Sequence, residues 1–318
     1  MIDAIKHGNC AAIKLFLDEN PDKINIVDSK GTPLLMHCIQ SCRQMVQLLL
    51  MRGADTTIQD RVGNSPLMWA VRMSDLKLIK LLIDHDNGAA IHLSNAFERT
   101  PLIFAIETRK NKFIIDLLLH ITTSTIPSVA IGYRTYGSPV WFLNKALFVA
   151  IDKLNMSAIG ALANDANINV YINGSTPLMH AMQGNRNSII QLLLVRGANI
   201  NLPDKYGHTP LMVATWKQNI DILRLLLSLG ADIYAQNYRY HTVLDMADNY
   251  IILIEFQSFV NRLNRKEIFT YLVAGKGGKI KCDDKISLFA NYLNKKIKSY
   301  YLRHICSFLS EELIAVGR

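Results

Sequence analysis

The sequence predicts an all-α solenoid, in which short helix pairs stack side by side, and two periodic features predict it. The first is a tetrapeptide that begins with Thr or Ser, continues with Pro and Leu, and returns at nearly constant intervals. The second is a Gly late in most copies, at Gly53, Gly88, Gly197 and Gly230. Such a period is typical of repeats that bury their apolar faces only by stacking on neighbours. The five starts are Thr32-Pro33-Leu34-Leu35, Ser65-Pro66-Leu67-Met68, Thr100-Pro101-Leu102-Ile103, Thr176-Pro177-Leu178-Met179 and Thr209-Pro210-Leu211-Met212.

Each repeat contains the signals for its own two helices. The Thr or Ser is expected to cap the first helix, and Pro suits the first turn because no hydrogen-bonded N–H is needed there. In the last complete copy, Leu211, Ala214 and Thr215 are predicted to face inward. Residues 222–227 form the apolar side of a second helix. Gly230 is expected to end it, because a left-handed C-cap favours a residue without Cβ.

The ends and the middle of the chain depart from the period. Residues 1–20 predict an N-terminal unit without its hairpin, and Thr242-Val243-Leu244 is a degenerate sixth copy. The separation of Thr100 from Thr176 exceeds two periods, so a hidden unit is predicted with helices near 145–152 and 156–163. The surplus residues are assigned to an insertion at 120–144. Long loops in such arrays are often functional, so this insertion is a candidate binding segment. Its binding candidates are Tyr133, Tyr136 and Trp141.

The repeats resemble the ankyrin repeat, whose consensus reads Asp-x-x-Gly-x-Thr-Pro-Leu-His-x-Ala and then Leu-Leu-x-x-Gly-Ala-Asp. The match is specific in residues 60–88 and 204–232, good in three more copies, and covers about residues 1–260. The resemblance implies an all-α ankyrin-repeat solenoid of about seven helix-pair units with hairpin loops, plus a small C-terminal helical cap. One departure recurs: the family's His after Pro-Leu is Leu, Met or Ile here, which predicts a more apolar and less rigid hairpin base.

Charge divides the chain into two predicted domains, a repeat solenoid at 1–260 and a basic helical module at 261–318. The net charge is +9, and from Arg262 onward 12 Lys and Arg stand against 5 Asp and Glu. Amphipathic stretches at 267–274 and 286–309 predict helices that cover the apolar end of the last repeat. The alternative role of this basic module is docking of a partner or of an anionic lipid surface.

Motifs for catalysis, cofactors or metals are weak. Residues 275–279 read Gly-Lys-Gly-Gly-Lys, but they lack the earlier Gly and the following Ser or Thr of a phosphate loop. Cys38 and Cys42 lack a second ligand pair for zinc, and Cys282, His304 and Cys306 lack a fourth ligand. All five Cys are expected to be thiols in a reducing compartment. We expect no enzyme, cofactor, metal or nucleic-acid ligand. The alternative is an enzyme whose C-terminal module carries unrecognised chemistry while the repeats select substrate.

Protein binding is the predicted function. Ankyrin proteins bind through their hairpin tips and the concave face of their first helices, so the resemblance implies a set of positions. On the tips these are Arg61, Lys205, Tyr206, His208, Tyr238 and Arg239, and on the first helices Arg72, Met73, Trp216 and Lys217. Trp216 is expected to face the groove beside Tyr and Arg side chains, the composition of an interface hot spot. The cationic groups favour an acidic segment of a host protein as the ligand.

A second resemblance concerns the biological setting. An Ile-, Asn- and Lys-rich composition, the pair Glu311-Glu312 and the apolar Val316 near the end resemble type IV secretion effectors of intracellular bacteria. This implies a virulence effector that is secreted into the host cytoplasm and binds or sequesters a host protein. Poxvirus host-range ankyrin proteins are the alternative source. No apolar run approaches the length of a membrane span and no signal-peptide pattern occurs, so an intracellular soluble protein is expected.

Overall fold

The computed structural model describes residues 10–125, 137–164, 167–273 and 290–300. These residues form α-helices joined by turns, two short 3-10 segments (Pro21–Lys23 and Ala89–His92) and an isolated β-bridge between Val27 and Pro33. The predicted all-α class is confirmed. The chain forms two compact units, Met1–Ile172 and Asn173–Arg318.

The described part of the first unit consists of one helix followed by four helix pairs. Within each pair the helices pack on each other, and the first helices of neighbouring pairs pack in series. Ala70 and Ala105 on these first helices are completely buried, so the helices approach closely. The helices are α1 (Cys10–Glu19), α2 (Leu34–Ser41) with α3 (Arg43–Met51), α4 (Pro66–Met73) with α5 (Leu76–His85), α6 (Pro101–Glu107) with α7 (Lys112–Thr125), and α8 (Pro139–Asp152) with α9 (Met156–Leu162).

Ser and Thr caps begin the first helices as predicted, with one exception. Ser65 Oγ accepts from the N–H of Met68 at 3.3 Å, and Thr100 makes the equivalent bond in the next pair. In the first pair, however, the N-cap is Pro33, and the N–H of Thr32 donates instead to the Asp28 carboxylate at 2.8 Å. The turn from Asp28 to Thr32 is one position shorter than the turn from Asp60 to Ser65. The tetrapeptide is therefore displaced by one position along the turn.

The middle of the chain contains the hidden unit, but the insertion predicted at 120–144 is too wide. Residues up to Thr125 belong to α7, and α8 begins at Pro139. Ser138 caps α8 through a 3.1 Å bond from the N–H of Trp141. Ser138 lies midway along the chain between Thr100 and Thr176. The intervals from Thr100 to Ser138 and from Ser138 to Thr176 are therefore equal, and each is longer than the usual period.

The described part of the second unit contains two helix pairs and two further helices. Thr176 and Thr209 cap the first helices through bonds of 3.2 and 3.4 Å from Met179 and Met212. Gly230 follows the helix Ile220–Ser228 in a left-handed conformation, φ +83°, as predicted. The helices are α10 (Pro177–Gln183) with α11 (Asn187–Val195), α12 (Pro210–Trp216) with α13 (Ile220–Ser228), α14 (Tyr250–Val273), and α15 at residues 290–300.

The degenerate sixth copy forms a turn at residues 243–246 in place of a first helix. Asp245 Oδ2 accepts bonds from both the N–H and the hydroxyl of Thr242, each at 2.7 Å. Helix α15 covers this copy: Leu293 is completely buried, and the Tyr292 hydroxyl donates to Asp245 Oδ1 at 2.6 Å. These contacts are those of a helical cap. Helix α14 runs through the predicted domain boundary at 260/261.

The cysteine prediction is wrong for Cys42, which is disulfide-bonded. Spacing along the chain does not reveal which cysteines come together, because pairing requires Cα atoms within about 7 Å in space. Cys38 is a free and completely buried thiol, and burial raises its pKa to about 12. Among the described residues, no helix is both long enough and apolar enough to cross a membrane.

Candidate functional site

In five of the described hairpins, one Asp or Asn side chain holds the turn together. The Oδ1 atom of Asp204 accepts bonds from the backbone N–H groups of Tyr206 at 2.8 Å and His208 at 2.9 Å. Asx turns of this kind fix a loop through side-chain-to-backbone bonds. The same pair of bonds recurs at Asp28, Asp60, Asn95 and Asn237.

In three hairpins the second carboxylate oxygen also has a side-chain partner. Trp69 Nε1 donates to Asp60 Oδ2 at 3.1 Å. His37 Nε2 lies 3.1 Å from Asp28, and His208 Nδ1 lies 3.2 Å from Asp204. The bond from the Thr32 N–H, with a contribution from His37, holds the pKa of Asp28 below its ordinary value against the opposing effect of burial. Polar side chains are therefore present at the base of these three hairpins, which was predicted to be more apolar, and the lower rigidity stays a prediction.

Neighbouring hairpins are joined to each other. In the second unit, the N–H of Lys205 donates to the Gly174 carbonyl at 2.9 Å, and the N–H of Tyr238 donates to the Tyr206 carbonyl at 3.2 Å. The Lys205 stem lies directly over Gly174, and the Tyr238 ring over Gly207. A Cβ at Gly207 would be only 2.8 Å from the ring and from the Tyr238 backbone nitrogen. Each glycine therefore makes room for a side chain of the next repeat.

Between these joined hairpins lies a surface depression of about 370 Å³. Five predicted binding residues meet there: Lys205, Tyr206, His208, Tyr238 and Arg239. Both tyrosines are largely exposed, Tyr206 by 57% and Tyr238 by 71%. The remaining lining residues are Asn237, His241 and Met246. The site thus combines aromatic surface with four basic side chains, and none of the described residues that line it carries a carboxylate.

The aromatic and basic groups of this depression are arranged in contact. Lys205 Nζ lies 5.0 Å from the Tyr206 ring centroid, a cation–π distance. The Tyr206 and His208 rings lie 5.9 Å apart. The buried Asp204 carboxylate behind them already accepts two backbone bonds and contacts His208. The Lys205 ammonium therefore lies beside an aromatic surface and not beside a competing acid.

Two predicted residues lie at the end of α12. Trp216 is 67% exposed although Thr215 beside it is buried, which agrees with the expectation that the indole points away from the core. The Lys217 ammonium donates to the carbonyl of Gln183, the last residue of α10, at 2.9 Å. Cations commonly satisfy the last carbonyls of helices. Lys217 therefore links two repeats, in addition to any role in binding.

The predicted residues of the first unit are largely occupied by internal contacts. Arg61 Nη2 donates to the Ser29 carbonyl at 2.5 Å, and the Arg72 guanidinium lies 4.1 Å from the Trp69 ring centroid. Met73 is 40% exposed. Trp141 lies at the start of α8, partly covered, with Lys145 Nζ 4.9 Å from its ring centroid. Tyr133 and Tyr136 lie outside the described residues.

His241 lines the depression but is not among the predicted binding residues. The signal was available, because His241 follows His208 by one repeat period. Within the described ranges, no group of three or more His, Cys, Asp or Glu could hold a metal ion. Cys282, His304, Cys306 and the segment 275–279 lie outside those ranges.

Comparison with known proteins agrees with this architecture. The family model described as "Ankyrin repeats (3 copies)" matches residues 44–127 and 147–237, more than half of the chain. The chain belongs to the ankyrin repeat family. The prediction of an ankyrin-repeat fold is confirmed, and the coarser part of the function prediction, a protein-binding ankyrin scaffold, is supported.

Similar ankyrin proteins come from viruses and animals. Ankyrin repeat protein FPV022 of Fowlpox virus (strain NVSL) is 31% identical over 209 residues, which cover 64% of this chain and 32% of that protein. Ankyrin repeat and SAM domain-containing protein 6 of Mus musculus is 30% identical over 105 residues, 32% of this chain and 12% of that protein. The chain thus matches about a third or less of these relatives. Among solved structures, the ankyrin repeat domain of Bcl-3 aligns with 80% of this chain and 96% of that chain at 21% identity, with a TM-score of 0.43.

Proposed function

We propose that this chain is a non-enzymatic scaffold that binds an acidic segment of a host protein through the hairpin tips of its second unit. The observation that carries the proposal is the depression at Lys205, Tyr206, His208, Tyr238 and Arg239, where exposed tyrosines and basic groups meet. Tyr and Arg are enriched among residues that dominate binding energy. Basic groups around the depression would steer Asp and Glu side chains toward it.

The anchoring of the depression supports this proposal. Two of its side chains lie against a glycine of the preceding hairpin, Lys205 against Gly174 and Tyr238 against Gly207. Association loses free energy when flexible side chains must be ordered, so groups that are already held lose less. A partner that contacts these tips would therefore lose less free energy to the ordering of side chains.

Trp216 is proposed as a further contact, because it is a largely exposed indole at the end of a first helix. Met73 is a proposed contact because it is 40% exposed, and Lys217 is a proposed contact that would have to give up its bond to the Gln183 carbonyl. Arg61 and Arg72 would have to give up their contacts with Ser29 and Trp69 to bind a ligand. The second unit is therefore the principal binding surface in this proposal.

The test is capture of partners from a eukaryotic lysate, with quantitative mass spectrometry, by the wild-type chain and by Trp216→Ala/Tyr238→Ala. We expect a protein that the wild type retains and the double variant loses. Tyr240→Ala is the matched control, because Tyr240 is an 81% exposed tyrosine of the same hairpin that does not line the depression. A partner retained equally by all three proteins would exclude this surface.

The finer setting of this function, a type IV effector secreted into the host cytoplasm, is also a proposal. The similarity to a fowlpox virus protein favours the alternative that a virus delivers the protein by infection. A translocation reporter fused to the chain separates the two: a bacterial effector enters host cells through a type IV secretion system, and a viral protein does not. Binding of a host protein is common to both.

Two further roles concern residues 261–318, most of which lie outside the described ranges. Contact with anionic lipid is proposed from the charge of this module and is tested by sedimentation with phosphatidylserine vesicles. The alternative of an enzyme is tested by activity profiling of the full chain against a chain truncated after residue 300. The depression at the hairpin tips favours neither, so protein binding remains the principal proposal.

A further inference from the structure

The basic groups of the depression are more numerous than a single carboxylate needs. Lys205 and Arg239 carry permanent charge, and His208 and His241 stand at equivalent positions of two consecutive hairpins. All four line one depression of about 370 Å³, together with Tyr206 and Tyr238. An Asp or Glu side chain brings one charge and two oxygens. A phosphoryl group brings about −1.5 to −2 charges and three strong acceptor oxygens.

We propose that the acidic feature recognised by this depression is a phosphorylated Ser, Thr or Tyr side chain of the partner protein. Lys205 and Arg239 supply the charge, and the guanidinium of Arg239 can bond two phosphoryl oxygens at once. The imidazoles and the tyrosine hydroxyls supply further donors. This inference rests on the proposed function, since it specifies the chemistry of the same partner.

The surroundings favour a doubly charged group. None of the described lining residues is Asp or Glu. Behind the site, the Asp204 carboxylate accepts bonds from the backbone N–H groups of Tyr206 and His208 and contacts the His208 ring nitrogen. A phosphoryl group would therefore contact no carboxylate in the lining itself, while the charge of Asp204 lies behind the His208 ring. The Lys205 stem lies against Gly174 and its ammonium lies 5.0 Å from the Tyr206 ring centroid, so less side-chain ordering would be needed on binding.

The depression also has limits that suit a side chain and not a polymer. Apart from Met246, it is formed by residues of two adjacent hairpins, 204–208 and 237–241, which are joined by the bond from the Tyr238 N–H to the Tyr206 carbonyl. A nucleic-acid strand needs a basic groove that continues along several phosphates. Residues 173–176 of the preceding hairpin read Asn-Gly-Ser-Thr and contain no basic side chain, so the row of basic groups does not continue through them.

The experiment measures fluorescence anisotropy of three labelled degenerate peptide libraries with the full chain. The libraries are identical except for a fixed central residue, which is phosphoserine, phosphotyrosine or Glu. We expect one of the phosphorylated libraries to bind at least about tenfold more tightly than the Glu library. A single-stranded oligonucleotide of mixed sequence is the fourth probe.

The variant Lys205→Gln/Arg239→Gln removes two charges and leaves a side-chain stem at position 205 to cover Gly174. We expect it to abolish the preference for phosphate. Lys77→Gln/Lys80→Gln removes the same charge from an exposed face of α5 in the other unit and should bind as wild type does. Circular dichroism on all three proteins confirms that they are folded.

Each outcome decides the question. Equal binding of the Glu and phosphorylated libraries overturns this inference and leaves the proposed acidic-segment binding intact. A phosphate preference that survives Lys205→Gln/Arg239→Gln, or tighter binding of the oligonucleotide, also overturns it. Suppose that no library binds, but the wild-type chain captures a lysate protein that Trp216→Ala/Tyr238→Ala does not capture. The inference then fails and the proposed function stands. If the wild type also captures no such protein, both the inference and the proposed function fail.

Discussion

The contact between Gly207 and Tyr238 offers a quantitative test of how the hairpins are joined. Gly207 has φ +81°, and a Cβ added there would lie 2.8 Å from Tyr238 Cδ1, 2.8 Å from the Tyr238 nitrogen and 3.1 Å from Asn237 Cα. Two of these three atoms belong to backbone and cannot rotate away. The substitution Gly207→Ala therefore strains the turn and pushes the next hairpin outward.

Two costs add in this variant. A left-handed conformation costs a residue with a Cβ about 1–2 kcal/mol. Overpacking against neighbours that cannot move costs about 1–3 kcal/mol more. Gly197 separates the two, because it has φ +89° and no atom within 4 Å of an added Cβ. We expect Gly197→Ala to lower the free energy of unfolding by about 1–2 kcal/mol, and Gly207→Ala to lower it by about 2–5 kcal/mol.

The assay is urea denaturation followed by circular dichroism, with hydrogen exchange to locate the change. Repeat arrays can unfold in parts, so the exchange data identify which hairpins have opened. Gly207→Ala should deprotect the N–H of Tyr238, and Gly197→Ala should not. Equal destabilisation by the two variants, with Tyr238 still protected in both, would refute the close approach of the two hairpins.

Three further predictions concern a cap, an ion and an exposed ring. Ser138→Ala should lower the free energy of unfolding by about 1 kcal/mol, because it removes the N-cap of α8, while Ser138→Thr should restore it; denaturant titration compares the two. Burial raises the pKa of Asp245, but hydrogen bonds from Tyr292 and Thr242 outweigh it and leave the pKa below its ordinary value. Such a group stabilises the fold above its unfolded pKa near 4, and the stabilisation is lost as pH falls through the folded pKa. The variant Tyr292→Phe should therefore be less stable than the wild type at pH 7 and lose less stability on acidification. Thermal denaturation between pH 7 and pH 3 measures this. Parallel plots of Tm against pH for the two proteins would contradict it. Trp216→Ala should change stability by no more than about 0.5 kcal/mol, because the ring is mostly exposed, yet reduce partner capture; a large loss of stability would show that the indole is structural.

The sequence predicted the repeats wherever the period and the cap residues agreed. Thr176 and Thr209 are separated by one period, and both cap helices as expected. Ser138-Pro139 was missed because it lies more than one period from either neighbouring start, although its chemistry is the same. Thr32 kept the period but lost the cap, since the turn before it is one position shorter. Period alone therefore cannot assign the role of an individual residue.

The candidate site was predictable in composition but not in geometry. Tyr206 and Tyr238 are both predicted binding residues, yet their positions in the turn differ. Counted from the Asx residue of each turn, Tyr206 occupies the position of Arg239, and Tyr238 that of Lys205. The residue directly after the Asx lies over the glycine of the preceding hairpin, as Lys205 does over Gly174 and Tyr238 over Gly207. The sequence shows that these two positions are equivalent, but the close approach of the two hairpins is visible only in the structure.

The joined hairpins make the depression a property of two repeats and not of either one alone. Its two halves are connected by the Tyr238–Tyr206 backbone bond and by the Tyr238 ring over Gly207. A ligand that touches both halves binds only while they are together, so occupancy and stacking are thermodynamically linked. At a ligand concentration about 100 times Kd, binding would stabilise the joined pair of hairpins by about 2.7 kcal/mol of free energy. The bound partner would then stabilise the contact between the two successive repeats. Slower hydrogen exchange at the Tyr238 N–H would report its binding without any label on the ligand.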